Sequence, residues 1–177
     1  MKSLSAWLLA LALVVSPLGA GLWFNQAYLG WLNESIPDAN AYAAAWQETV
    51  DGQQQLRHPA VIHWLPSACL CRLLTLPHAV QISAEAAENG FNIYQFNGAD
   101  RGLGEIRSVF LEPVLGASPT ILITDTSGQV RYVGAYSDGI RCASGDSLVN
   151  SFIADPQALP QHRVVGLNVQ TCRCLTP

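Results

Sequence analysis

The sequence predicts an α/β domain, a mixed sheet flanked by helices, preceded by one N-terminal transmembrane helix. Three observations carry this. Short runs of β-branched and aromatic residues alternate with longer helical patterns, the signature of βαβ crossovers in a partly parallel sheet. Two of the runs are separated only by the turn Asp125-Thr126-Ser127-Gly128, so their strands must be antiparallel and the sheet mixed. From Ser3 to Asn33 no side chain is charged.

The charge-free run comes first. Its most apolar part, 4–24, is long enough as a helix to cross roughly 30 Å of hydrocarbon. Lys2 stands before it, Glu34 and Asp38 after it, which places the N-terminus in the cytoplasm and the rest across the membrane. Trp23, Phe24, Tyr28 and Trp31 form an interfacial aromatic belt. A cleaved signal peptide is the competing reading, with Leu18 standing where the cleavage site needs a small residue. Residues 1–32 are therefore assigned to the anchor, 33–59 to a helical linker, 60–155 to the folded domain and 156–177 to an irregular tail.

Pro37-Asp38 opens a helix over 39–55, with Tyr42, Trp46 and Val50 as its apolar stripe; Arg57-His58-Pro59 breaks it. Residues 60–65 read as a buried strand. A helix follows over 69–89, with an interruption near Pro77 and Gly90 ending it. Residues 91–97 form a second strand and 101–111 a short helix. The hairpin strands are 121–124 and 129–134, and 146–154 is the last helix.

Composition excludes several functions. The net charge of -4 disfavours nucleic acid or an anionic lipid surface as partner. Lys2 is the only lysine, so no lysine of the domain acts as base, Schiff-base former or phosphate clamp. Gly102-Leu103-Gly104 is too short for a phosphate loop, and no Ser/His/Asp triad is suggested by spacing. His63 is read as a hydrogen-bonded core residue, and His58, His78 and His162 as surface residues.

The chemistry lies in five cysteines, Cys69, Cys71, Cys142, Cys172 and Cys174. On the exported side pairing is expected, and an odd count leaves at least one otherwise engaged. Cys69 opens a helix, where unpaired N–H groups and the dipole favour a thiolate, so it is the candidate nucleophile and Cys71 the resolving thiol. Arg72 adds positive charge. A ring closed within Cys-X-Cys is strained, which points to an oxidant or isomerase. The alternatives are soft-metal ligation, copper or zinc, and a structural pair. For Cys172 and Cys174 the options are a stabilising bridge to Cys142, a relay to Cys69 and Cys71, or metal ligation. In a βαβ unit, Pro119 begins its strand at the cysteine end of the sheet. Residues 135–142 then lie on the same rim, and the tail is long enough to return there. Tyr136 is a candidate rim contact to substrate.

A buried strand ending in a cysteine pair that opens a helix resembles the thioredoxin-like superfamily. So does Ser118-Pro119-Thr120 before an apolar strand, a turn and an antiparallel strand ending in glycine. The resemblance covers about 60–154. It implies that Pro119 is the cis-proline facing the cysteines and that Ser118 and Pro119 shape a substrate groove. Cys69-Leu70-Cys71-Arg72, then Gly134-Ala135-Tyr136-Ser137-Asp138-Gly139 with Cys142, then Cys172-Arg173-Cys174, are similar to a functionally uncharacterised bacterial family of membrane-anchored thioredoxin-like proteins. Thioredoxins have two residues between the cysteines; here there is one, Leu70. The expectation is a thiol–disulfide oxidoreductase in the bacterial inner membrane, facing the periplasm and acting on protein disulfides. A copper or zinc module and a non-catalytic disulfide-stapled interaction domain are the alternatives.

Overall fold

The computed structural model describes residues 2–36, 38–66, 69–96, 108–109, 118–139, 147–172 and 174. The charge-free run forms helix α1 (Lys2–Tyr28), whose segment Ala6–Tyr28 has a mean hydropathy of 1.9. It is long and apolar enough to cross a membrane, and its large apolar side chains from Trp7 to Trp23 are exposed. It leads into strand β1 (Leu29–Trp31) and one turn, α2 (Leu32–Ser35).

Asp38 then caps α3 (Ala39–Asp51), its carboxylate accepting from the backbone N–H groups of Asn40 and Ala41, each at 2.9 Å. The predicted stripe of Tyr42, Trp46 and Val50 is buried. Trp46 stacks on Phe96 with ring centroids 5.7 Å apart. The helix stops at Gly52, earlier than expected.

The centre of the domain is β2 (Ala60–Trp64), buried at all five positions. Helix α4 (Leu70–Glu88) crosses over to β3 (Asn92–Phe96), which is parallel to β2. On the other side β5 (Thr120–Thr124) runs antiparallel to β2 and pairs with β6 (Val130–Gly134) through the Asp125 turn. Two short strands complete a six-stranded mixed sheet. β4 (Ser108–Val109) is parallel to β3, and β7 (Val164–Gly166) is parallel to β6, giving the order β4-β3-β2-β5-β6-β7. The one-turn helix α5 (Asn150–Ile153) packs on α4. The last strand, β8 (Gln170–Cys172), leaves this sheet and pairs with β1.

The register decides where the chemistry lies. Trp64 is opposite Thr120, and Ile121 is opposite Gly134. The end of β2, the start of β5 and the end of β6 therefore share one edge, the edge at which α4 begins.

Several expectations change. Ser108 and Val109 form a strand, not part of a helix; the remainder of 101–111 lies outside the described residues. The tail is not irregular, because 164–166 and 170–172 are strands. Three-residue strands are too short for alternation to register in sequence, and here pairing with β6 and β1 creates them. The last helix shrinks to one turn. Helix α4 runs through Pro77, which sits on its exposed face. His78 is buried, not on the surface. Among the described residues the one cis peptide bond is His58–Pro59, so Ser118–Pro119 is not the expected cis-proline bond.

Candidate functional site

Cys69 is the N-cap of α4, in extended conformation, and its carbonyl accepts from the N–H of Arg72 at 3.1 Å. Cys71 lies in the first helical turn and is fully buried. The two cysteines do not bond to each other. Cys69 forms a disulfide with Cys174 and Cys71 one with Cys172, with Cα–Cα distances of 5.1 and 5.5 Å. The expected exchange of Cys69 with Cys71 as resolving partner is therefore corrected: each thiol of the helix pair faces one thiol of the tail pair. Of the three options for the tail pair, the bridge to Cys142 is not the one formed: both tail cysteines bond to Cys69 and Cys71, the partners of the relay option, and Cys142 itself lies outside the described residues.

Strand β8 is held from two sides. Cys172 is opposite Leu29, and Gln170 opposite Trp31. From the rim after β6, the Gly139 N–H donates to the Gln170 carbonyl at 2.7 Å, while the Gln170 N–H donates to Asp138 Oδ1 at 3.1 Å. Farther back, the N–H groups of Leu32 and Asn33 donate to Val169 and Leu167. The backbone directly beyond α1 thus anchors the tail that carries half of the disulfide pair. Phe24 and Tyr28, in the last turns of α1, pack together with Cys174 against the cluster of buried cysteines Cys69, Cys71 and Cys172.

Burial grades the two bonds. Cys71 and Cys172 are 0% and 1% exposed, Cys69 is 7%, and Cys174 is half-buried. Cys69–Cys174 is the outer bond and Cys71–Cys172 the inner one. The Sγ atoms of Cys69, Cys71 and Cys174 lie within 4.8 Å of one another, close enough to serve one metal ion once reduced.

The other candidates fall around this cluster. Ser118 and Pro119 stand at the cysteine end of the sheet, but both are buried, and the Ser118 carbonyl accepts from Thr120 Oγ1 at 3.1 Å. Arg72 is half-buried on α4. Tyr136 is buried and faces the core, not an open rim. Its hydroxyl is 2.7 Å from His63 Nδ1, and Ser83 Oγ is 2.9 Å from His63 Nε2. Ser83 donates its proton to the Ala79 carbonyl at 2.7 Å, so it accepts from Nε2–H, and Nδ1 accepts from Tyr136. Complete burial pushes the His63 pKa down to about 3, keeping the ring neutral. His63 is the satisfied core histidine that its strand position suggested.

Residues 39–176 match the family described as a domain of unknown function, DUF6436. The chain belongs to the DUF6436 family. The matched region takes in α3, the whole sheet and all five cysteines, and leaves out α1. No curated protein and no solved structure matches this DUF6436 chain. What sequence reasoning missed in it is the part α1 and β1 play in the site. The aromatic belt of Phe24 and Tyr28 was visible as a membrane-interface signal, but nothing local tied it to cysteines 41 to 150 residues away.

Proposed function

We propose that this DUF6436 chain is a membrane-anchored thiol–disulfide oxidoreductase of oxidant or isomerase type on a thioredoxin-like scaffold, exchanging through Cys69–Cys174. The type rests on a helix start that favours the reduced Cys69 thiolate and no longer on a strained Cys-X-Cys ring. The observation that carries the reading is a disulfide cysteine at the N-terminus of a long helix, with a half-buried partner. The strand order β3-β2-β5-β6, with the cysteines following the central strand, supports the thioredoxin-like scaffold. Two disulfides favour an oxidising compartment beyond the membrane, with α1 as the anchor.

The exchange runs as follows. A substrate thiolate attacks Sγ of Cys174, the more accessible sulfur, and the Cys174–Cys69 bond breaks. Cys69 leaves as a thiolate, favoured by the positive dipole end of α4; a better leaving thiolate leaves faster. A second substrate thiol, deprotonated, then attacks the mixed disulfide and releases the Cys174 thiolate. The substrate dithiol becomes a disulfide, and Cys69–Cys174 becomes two thiols, two electrons passing to the protein. In reverse, the Cys174 thiolate attacks a substrate disulfide, and the Cys69 thiolate then attacks Sγ of Cys174, releasing the substrate thiolate and closing Cys69–Cys174 again. The inner bond stays closed throughout.

The test is a Cys69→Ser variant of the full-length protein, which leaves Cys174 without the thiol that resolves its adduct. Mixed disulfides accumulate under oxidising conditions and disappear in Cys69→Ser/Cys174→Ser. A variant that traps nothing overturns the reading.

The three close sulfurs support a second reading, a copper or zinc module of the reduced protein. Zinc favours four thiolates and copper(I) soft sulfur, and reduction of both bonds frees four. Native mass spectrometry of the reduced full-length protein with each metal decides it; metal-free protein in both cases removes this reading.

A further inference from the structure

The exposed side of α4 changes character along its length. At i, i+3, i+4, i+7, i+11, i+14 and i+18 it presents Leu70, Leu73, Leu74, Pro77, Gln81, Ala84 and Glu88. Only the end beside the disulfides exposes large apolar side chains. Leu70, Leu73 and Leu74 are 44%, 64% and 39% exposed, although the opposite face of the same turns, Cys71 and Thr75, is buried. An amphipathic helix would place polar residues on the exposed side.

The patch continues into α1. Leu70 lies between Cys69 and Cys71, which pack against Phe24 and Tyr28 at the end of the helix that is long and apolar enough to span a membrane. Trp31, 42% exposed, follows in the strand that pairs with β8. We infer that the first turns of α4 rest on the lipid bilayer, in the interfacial layer of the leaflet from which α1 emerges, so that the disulfide pair works at the membrane surface. This rests on the anchor reading of α1. The bilayer is the occupant because the cysteine cluster at the start of α4 packs against Phe24 and Tyr28 in the last turns of the span, which brings the leucines to the depth at which the hydrocarbon ends. Leucines at that level exchange water for acyl chains, and the interface accepts a helix lying along it. The consequence for substrate class is that the thiol or disulfide reaching Cys174 is itself held close to the membrane.

Photo-crosslinking in lipid nanodiscs tests this on the full-length protein. The photoreactive residue benzoylphenylalanine replaces Leu73, Leu13 within α1, or Glu88 at the far end of α4, and intact mass reports the adducts. Lipid adducts are expected at 13 and 73. At 88, about 22 Å along the helix from 73, the yield is at least about tenfold lower. Adducts at 13 with none at 73, a protein adduct in their place, or equal yields at 73 and 88 overturn the surface placement and leave the anchor and the exchange chemistry standing. No lipid adduct at 13 overturns the anchor and the inference with it.

Discussion

Single residues show both what a sequence states and what it withholds. That Cys69 opens a helix was legible, because an apolar strand, a proline turn and a helical pattern bracket it. Its partner was not, because pairing is decided by which chain segments meet, and the segment that arrives is a three-residue strand with no local signature. His63 was legible as a core residue from its place in an all-apolar strand; its partners Tyr136 and Ser83 come from two other elements. That burial has a pH consequence. A histidine held down to about 3 in the fold titrates near 6.5 when unfolded, so between these values the unfolded chain binds the extra proton. Stability is full above 6.5 and falls as the pH drops toward 3, by about 1.4 kcal/mol per pH unit. His58 adds in the same direction: its burial lowers its pKa, against the attraction of Asp125 and Asp51. Urea midpoints of the full-length protein between pH 4.5 and 7 should show this slope, and His63→Gln should flatten it although it also lowers overall stability. An unchanged slope in that variant assigns the proton uptake elsewhere.

Elements were legible in proportion to their length. Helices α3 and α4 and strands β2, β3, β5 and β6 all stood out by periodicity or by apolar runs, whereas β1, β4, β7 and β8, at two or three residues each, depend on neighbours for existence. How α3 docks was equally invisible. Gln47 is buried on that helix, accepts from the Val130 N–H at 2.8 Å and donates to the Gly128 carbonyl at 3.1 Å, clamping α3 to the hairpin of β5 and β6. Gln47→Leu strands both backbone groups away from water, and each costs about 1–3 kcal/mol. A loss of about 3 kcal/mol is expected in denaturation, against within about 0.5 kcal/mol for the exposed control Gln54→Leu. On the other side of the hairpin, β6 approaches β7 so closely that a Cβ on Gly134 would come within 2.5 Å of the Gly166 carbonyl oxygen. That neighbour is backbone and cannot rotate away, so Gly134→Ala should cost about 3 kcal/mol, the upper end of overpacking. A variant as stable as wild type would show that β7 detaches readily, and that the tail's hold on the sheet is weaker than its contacts imply.

At the scale of the whole molecule the two disulfides fasten the same two chain segments, one from each end of the domain. Cys69–Cys174 and Cys71–Cys172 span 105 and 101 positions. In the chain-entropy account either bond alone restrains the unfolded chain by about 4.7 kcal/mol, the value for a loop of roughly 100 residues. They do not add. Once one is closed, the other joins residues only two positions inward on each strand of the closure, and the further ring it makes is a handful of residues. The stabilities of three full-length variants should therefore be strongly non-additive. Cys69→Ala/Cys174→Ala removes the outer bond and should cost about 2 kcal/mol in loop entropy. Cys71→Ala/Cys172→Ala should cost somewhat more, because its sulfurs are completely buried and their removal leaves space in the packing. Removing all four cysteines should cost well over the sum of the two, since only then is the long loop released. Denaturation of the four proteins under one set of conditions measures this, and simple additivity would show the bonds to be independent staples. The non-additive result bears directly on the proposed chemistry. A bond that opens and closes in each exchange must not carry the fold alone, and here the inner bond holds the tail in register with α4 and β1 while the outer one is open. The Cys174 thiol then stays within reach of Cys69, and reoxidation needs no search through the unfolded tail.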